Sequence, residues 1–272
     1  MLINTKGSPI DLSKPKIMGI LNITPDSFYE GSRFTDLSKV LSQAEKMLAA
    51  GATFLDIGGH STRPGATSVS EEEELKRVLP VVEGIIHNFP EAMISIDTFR
   101  ASIASECVKA GAVMINDVSG GDLDDKMFQT VVDSNVPYVL MHSRGTPETM
   151  TQLTNYQDLI TDIIDELQQK IYRLRQLGQK DIIIDLGFGF AKTSDQNYVL
   201  LNHLEDFRLL DCPMLVGVSR KSMIWRKLNI SPNESLNGTT VLNTIALMKG
   251  ANILRVHDVK EAMEAVTLLG FM

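Results

Sequence analysis

The chain has 272 residues, 43% of them hydrophobic, a net charge of −8 and a pI near 5.2. That length and apolar content support one large α/β domain spanning residues 1–272, while the acidic balance argues against nucleic acid or an anionic membrane as partner, so an anionic ligand must be met by a local basic pocket. Cys107 and Cys212 lie far apart without metal-ligand spacing and read as buried apolar residues in a reducing compartment; no signal peptide or membrane-length apolar run is visible, so a cytoplasmic protein is expected.

Strands are predicted at residues 17–22, 53–58, 92–97, 113–117, 137–142, 182–186, 214–219 and 253–257, with helical patterns between them. The first helix, about 37–50, repeats Leu37, Val40, Leu41, Ala44, Met47 and Leu48 on one face, with Asp36 to cap its start and Gly51 its end. The second opens at Ser70 with a capping-box pattern, and its glutamates 71–74 read as a solvated first turn favoured by the helix dipole. A long helix near 156–177 carries Ile160, Ile163, Ile164, Leu167, Ile171 and Leu174 and stops at Gly178. The last begins from Asp258 and buries Val259, Ala262, Met263 and Val266. Ala-Gly-Ala at 50–52 and 110–112, and Lys-Gly-Ala at 249–251, place a glycine where a helix end needs a left-handed residue before the next strand. Eight strand–helix units indicate a single closed (β/α)8 TIM barrel; an open doubly wound sheet would usually carry a Gly-x-Gly-x-x-Gly turn, and none is present.

In such a barrel the chemistry stands at the C-terminal strand ends. Here those ends carry Asn22, Asp56, Asp97, Asn116 with Asp117, His142, Asp185, Ser219-Arg220-Lys221, and Arg255 with His257. Asp97, Asn116 and Asp185 suit either a metal or a flat, nitrogen-rich ring. The ring is favoured, because carboxylates spread around a mouth match the N–H edge of an aminopyrimidine better than a tight coordination shell. Lys221 can keep Asp185 ionised, and Arg255 can stack on an aromatic ring or hold an anion. For Asp56, Asp117 and His142 a buried hydrogen-bonding role is as good a reading as a functional one. His87 and His203 fall on helical segments and read as surface residues. Asn22, Arg255 and His257 join the first and last strands and suit a phosphate or pyrophosphate, with magnesium on the Asn22 amide oxygen. The loops 24–28 and 61–65 are rich in turn formers, yet carry Phe28 and Arg63, and read as covers for the mouth. In the glycine-rich 187–192 stretch Lys192 supplies a further cation.

These segments together resemble the dihydropteroate synthases: Gly19-Ile-Leu-Asn-Ile-Thr-Pro-Asp-Ser-Phe28, Asp56-Ile-Gly-Gly-His-Ser-Thr-Arg-Pro-Gly65, Ser95-Ile-Asp97, Asn116-Asp-Val-Ser-Gly120, Met141-His142, Gly187-Phe-Gly-Phe-Ala-Lys192, Gly217-Val-Ser-Arg-Lys-Ser222 and Arg255-Val-His257. The resemblance implies an enzyme, a transferase of folate biosynthesis and sulfonamide target. It joins 6-hydroxymethyl-7,8-dihydropterin diphosphate to 4-aminobenzoate with Mg2+ and releases pyrophosphate, and the family is usually homodimeric. Residue by residue it implies a pterin site of Asp97, Asn116, Met141, Asp185, Gly217, Lys221 and Arg255. It implies a 4-aminobenzoate pocket of Phe28, Thr62, Arg63, Pro64, Phe190, Lys221 and Ser222, and a diphosphate site of Asn22, Arg255 and His257, with Asn22 on the metal. Arg63, Lys221, Arg255 and His257 would carry the catalytic role. It further implies that diphosphate leaves from a pterin-stabilised cation before the neutral amine attacks, so no activated nucleophile is needed. Leu186, Glu30 and His60 depart from the family's usual proline, aspartate and glutamate. Two other readings remain: a pterin-binding methyltransferase module acting on a reduced folate, which has no use for the diphosphate set, and a non-catalytic pterin-binding protein.

Overall fold

A computed structural model describes residues 1–5, 7–23, 33–60 and 69–271. After a short antiparallel hairpin of β1 (Leu2–Thr5) and β2 (Ser8–Asp11), eight parallel strands close into a barrel. In chain order they are β3 (Lys16–Asn22), β4 (Phe54–Gly58), β5 (Met93–Asp97), β6 (Met114–Asp117), β7 (Tyr138–Met141), β8 (Ile182–Asp185), β9 (Met214–Val216) and β10 (Ile253–Val256), with β10 pairing back onto β3. Every strand expected from the sequence is present; β3 begins one residue earlier, β9 ends three residues sooner, and the others are one or two residues shorter. The intervening helices are α1 (Arg33–Ala49), α2 (Glu71–Asn88), α3 (Ala101–Lys109), α4 (Met127–Ser134), α5 (Leu159–Leu177), α6 (Ser194–Asn202), α7 (Ser222–Leu228), α8 (Leu236–Met248) and α9 (Val259–Leu269). None of the described helices is long and apolar enough to cross a membrane.

The helix ends follow local chemistry. Ser70 accepts the Glu73 N–H at 3.2 Å and Asp158 that of Thr161 at 2.8 Å, each capping a helix start. Gly51, Gly111, Gly178 and Gly250 all take the left-handed conformation, with φ of 100°, 124°, 103° and 98°, where a side chain would be strained. Two expectations change. The first helix begins at Arg33, so position 36 falls inside α1 and not at its start. Glu74 is fully buried, whereas Glu71–Glu73 are exposed. It accepts from the Thr98 hydroxyl at 2.8 Å and pairs with Arg100, so one of the four glutamates is a structural ion-pair partner. On α9, Met263 and Val266 are half-buried against the core while Ala265 joins Val259 and Ala262 inside it.

Two apolar regions set the barrel's frame. The larger lies between strands and helices; the smaller, Met18, Phe54, Met114, Val139, Ile183, Leu215 and Ile253, fills the lower barrel and is sealed from beneath by Ile3 and Leu12 around the hairpin. That hairpin went unrecognised in the sequence, where its four-residue strands carry little periodicity. Successive strand side chains alternate between faces. Two residues beyond each member of the apolar layer therefore come Ile20, Asp56, Asn116, Met141, Asp185, Gly217 and Arg255, on the same inward face and one layer nearer the mouth. Asp56, Asn116, Asp185 and Arg255, four of the polar residues picked out at the strand ends, thus share one layer of the barrel.

Candidate active site

Arg255 is the centre of this layer. Its Nε donates to Asp56 Oδ2 and its Nη2 to Asp97 Oδ2, each at 2.6 Å, while Asn116 Nδ2 donates to the same Asp56 oxygen at 3.0 Å. Register makes this possible: β10 and β4 flank β3, and Asp97 sits directly beside Asn116 across β5 and β6. Burial pushes the Asp97 carboxyl up to about 7 against the attraction of Arg255, with Asp56 adding like-charge repulsion. The two carboxylates in turn raise Arg255 despite its own burial, so the guanidinium stays charged. Asp56 Oδ1 and Ser95 Oγ, on paired positions of β4 and β5, are buried without a partner among the described residues.

Across the mouth, Asp185 ends β8 and accepts the Gly187 N–H on Oδ1 at 2.8 Å. Burial raises its pKa, opposed chiefly by Lys221. Lys221 directs its ammonium to the Phe188 carbonyl and over the Phe190 ring, 4.9 Å from the centroid. Burial lowers it to about 8 while Asp185 pulls the other way. The lysine is held from below by a strained joint. Arg220 has φ 55°, its guanidinium forks onto Asp258 at 2.9 and 2.6 Å, and its N–H donates to Thr239 Oγ1 at 3.1 Å. Asp258, at the start of α9, therefore holds Arg220 and makes no side-chain cap. Met141 is buried opposite Asp185, and a Cβ at Gly217 would come no closer than 3.8 Å to Arg255, leaving space between them.

At the third side, His257 Nδ1 lies 3.0 Å from Ser219 Oγ, which also accepts the His257 backbone N–H at 3.2 Å. Asn22 is exposed at the end of β3, beside Gly58. Ser222 opens α7 directly after Lys221 and is half-buried. Phe28, Glu30, Thr62, Arg63 and Pro64 lie outside the described residues. His60 is half-buried, edge-on to Phe99 at 5.3 Å, and burial lowers its pKa. Leu186 is fully buried.

The ambiguous residues resolve by their partners. Asp117 is structural: it accepts from Ser119 N and Oγ, Gly121 N and the Tyr138 hydroxyl, all within 2.8 Å. Asp56 belongs to the Arg255 layer. His142 is buried and faces Lys192, also buried, and the half-buried Glu166, a cluster that no spacing in the sequence announced. His87 and His203 are exposed, and Cys107 and Cys212 are buried free thiols, raised by burial to about 12 and 11.

Among the described residues no group of three or more histidine, cysteine or acidic side chains is placed to hold a metal ion. The acids at the mouth are instead divided between its two sides, Asp56 and Asp97 sharing the Arg255 guanidinium and Asp185 holding the Gly187 N–H. Such an arrangement can hold the donor-rich edge of a flat heterocycle, with cations beside it for a leaving anion.

Comparison with known proteins agrees with this geometry. Residues 18–257 match the family described as pterin binding enzyme. Dihydropteroate synthase of Escherichia coli (strain K12) is 43% identical over 271 residues, which cover 99% of this chain and 95% of that one. A crystal structure of Yersinia pestis dihydropteroate synthase in a sulfonamide drug complex superposes with a TM-score of 0.93 at 43% identity, covering 100% and 98% of the two chains. The Xanthomonas albilineans dihydropteroate synthase with 4-aminobenzoic acid superposes at 0.91 and 36% identity, covering 99% and 97%. With a match of this extent, the chain belongs to the dihydropteroate synthases of the pterin-binding enzyme family.

Proposed function

We infer that the chain joins 6-hydroxymethyl-7,8-dihydropterin diphosphate to 4-aminobenzoate, giving 7,8-dihydropteroate and pyrophosphate. The observation that carries this is the polar layer of Asn116, Asp185 and Arg255, joined by Asp97 beside Asn116 and with Lys221 near it, above an apolar barrel floor. Asp97, Asn116 and Asp185 take the N–H groups of the pterin ring; Met141 and Gly217 leave it a slot, and Arg255 covers its face. Lys221 bears on the ring near Asp185 and, with Phe190 and Ser222, on the amine's pocket, to which Phe28, Thr62, Arg63 and Pro64 are assigned by the resemblance. Asn22, Arg255 and His257 receive the diphosphate.

The reaction breaks the bond from the pterin methylene carbon to the diphosphate oxygen, and the electron pair leaves with the diphosphate. The cation is delocalised into the ring, where the carboxylates oppose its charge without forming a bond. The neutral amine then attacks the carbon and gives up one proton to solvent. Magnesium fits the donor set only in part: Asn22 offers one exposed amide oxygen, and Mg2+ commonly takes its remaining ligands from substrate phosphates and water. When bound there it supplies charge neutralisation to the leaving group.

A homodimer is part of the same proposal, supported by exposed Leu228 on α7 and by Val241 and Met248 on the adjoining α8. A cytoplasmic location is supported by the two unpaired buried thiols. The deciding experiment measures pyrophosphate release from dihydropterin diphosphate and magnesium with and without 4-aminobenzoate. Release that depends on the amine is expected. Pterin binding without release would overturn the synthase and leave the methyltransferase-like or non-catalytic reading.

A further inference from the structure

Lys192 follows the 187–191 loop and has no part in the reaction set out above, yet it is only 8% exposed. An ammonium carries three N–H donors and no acceptor. Its Nζ lies 3.2 Å from the Gly187 carbonyl oxygen, 3.0 Å from that of Phe190 and 2.9 Å from His142 Nδ1. With Lys192 protonated, three acceptors for three donors put a bare lone pair on Nδ1 and the imidazole proton on Nε2. That nitrogen faces Glu166 Oε2 at 3.0 Å, and Glu166 Oε1 accepts from Arg144 Nε at 3.0 Å. A continuous chain of contacts therefore runs from α5, through the end of β7, to the loop after β8.

The same loop is fixed at both ends. Gly187 has φ 66°, and a Cβ there would lie 2.0 Å from the His142 carbonyl oxygen, so the backbones touch. Ala191 is left-handed at φ 49°; its carbonyl accepts the Tyr156 hydroxyl at 2.9 Å, and Arg144 lies 3.9 Å above that ring. Between these ends the loop offers Lys221 two contacts, the Phe188 carbonyl and the Phe190 ring.

We propose that Lys192, acting through His142 and Glu166, is a positioning residue for the synthesis: it holds the 187–191 loop against β7, and the loop holds Lys221 and the Phe190 wall in place. The inference rests on the synthase reading of the site. The electrostatics agree with it. Burial lowers Lys192 to about 7, with Asp185 and Glu166 raising it and Lys221 and Arg144 lowering it. Burial and Lys192 lower His142 to about 4, against Glu166, which keeps Nδ1 an acceptor at neutral pH.

The test compares Lys192→Met, His142→Leu and His142→Asn in the full chain. Asparagine can present its carboxamide oxygen near the place of Nδ1, whereas leucine strands the ammonium. Lys192→Met and His142→Leu are expected to raise KM for 4-aminobenzoate about tenfold while the Kd of dihydropterin diphosphate, by calorimetry, moves less than about threefold. His142→Asn should stay within about threefold of the native KM. A folded Lys192→Met enzyme with native KM, equal weakening of both substrates, or His142→Asn as impaired as His142→Leu would each overturn the inference. Thermal unfolding checks the fold, and if Lys192→Met does not fold, the His142 pair carries the same comparison. Absence of amine-dependent release in the native enzyme would overturn the functional reading and this inference together; native turnover with unaltered variants overturns this inference alone.

Discussion

Arg255→Met removes one guanidinium that serves two buried carboxylates while keeping much of the side chain's apolar stem. Asp56 is fully buried and Asp97 is 9% exposed, so neither can recover its lost partner from bulk water without rearrangement. Breaking a buried pair from one side costs about 3–5 kcal/mol, and since the two acids share a single cation the cost is counted once. For a chain of this size that corresponds to a fall in Tm of roughly 5–9 °C. The pH dependence is the sharper signature. Asp97 is already raised to about 7 with Arg255 beside it, and without the arginine it rises further. A carboxyl whose folded pKa lies above its unfolded value binds more protons when folded. Its favourable contribution is complete below about pH 4 and is lost as pH rises through the folded value. The variant's deficit should therefore be smaller at pH 5, where Asp97 is largely neutral in both proteins, than at pH 8, where the native protein has the ionised, paired carboxylate and the variant must either ionise it unpaired or keep it protonated. Thermal or urea unfolding of both proteins at the two pH values measures this. A deficit independent of pH, or a Tm loss below about 2 °C, would refute the claim that Arg255 compensates these two charges.

Asp185→Asn should lower kcat/KM by about 3–5 kcal/mol of transition-state binding, since two charge-assisted hydrogen bonds of about 1.5–3 kcal/mol each are disturbed; a loss below about tenfold would remove Asp185 from the pterin site. Arg63→Ala is expected to raise KM for 4-aminobenzoate while leaving dihydropterin diphosphate binding unchanged, and equal weakening of both in calorimetry would refute the loop's assignment to the amine. Gly187→Ala combines left-handed strain with a 2.0 Å approach to the His142 carbonyl, and should cost about 2–4 kcal/mol in urea unfolding; a neutral result would mean the loop is not packed on β7. His142, lowered to about 4, binds fewer protons folded than unfolded between that value and its usual 6.5. Its stabilising contribution is thus lost as pH falls through this window, by about 2 kcal/mol at pH 5, and the pH 7 to pH 5 loss should be smaller in His142→Asn; an equal loss in both proteins would place the titration elsewhere.

How much could be read from the chain depended on the range over which each feature is determined. Strand positions and helix ends are local: a β-branched run such as 182–184 and a glycine such as Gly51 or Gly178 carry their own conformational reasons, and each appears where expected. The inward layer was also within reach, because alternation along a strand places Asp56 two residues after Phe54 and Arg255 two after Ile253 without any knowledge of the partner strands. Partners across the barrel were not. That one arginine would bridge Asp56 and Asp97 follows from closure, which brings β10 to within one strand of β4. Nothing at residues 182–192 shows that Lys192 would turn inward to His142, fifty positions earlier.

Glu74 makes the limit plainest. Four consecutive glutamates at a helix start have a sufficient local explanation in the dipole and the cap, and for three of them it holds. The fourth lies one position further round the helix, on the face that α2 turns toward the barrel, and a carboxylate there is tolerable only if a cation and a hydroxyl reach it. Arg100 and Thr98 do so from the end of β5, and Arg100 also donates to the Val69 carbonyl at 2.5 Å. Local reasoning could assign the turn its helix but not the fourth side chain its surroundings, because those are supplied by residues 24 and 26 positions away. The same holds for the lysine at 192. In this barrel the first ring of polar side chains is written along each strand, whereas the charges that steady it come from elements distant in the chain, and closure of the barrel is what brings them together.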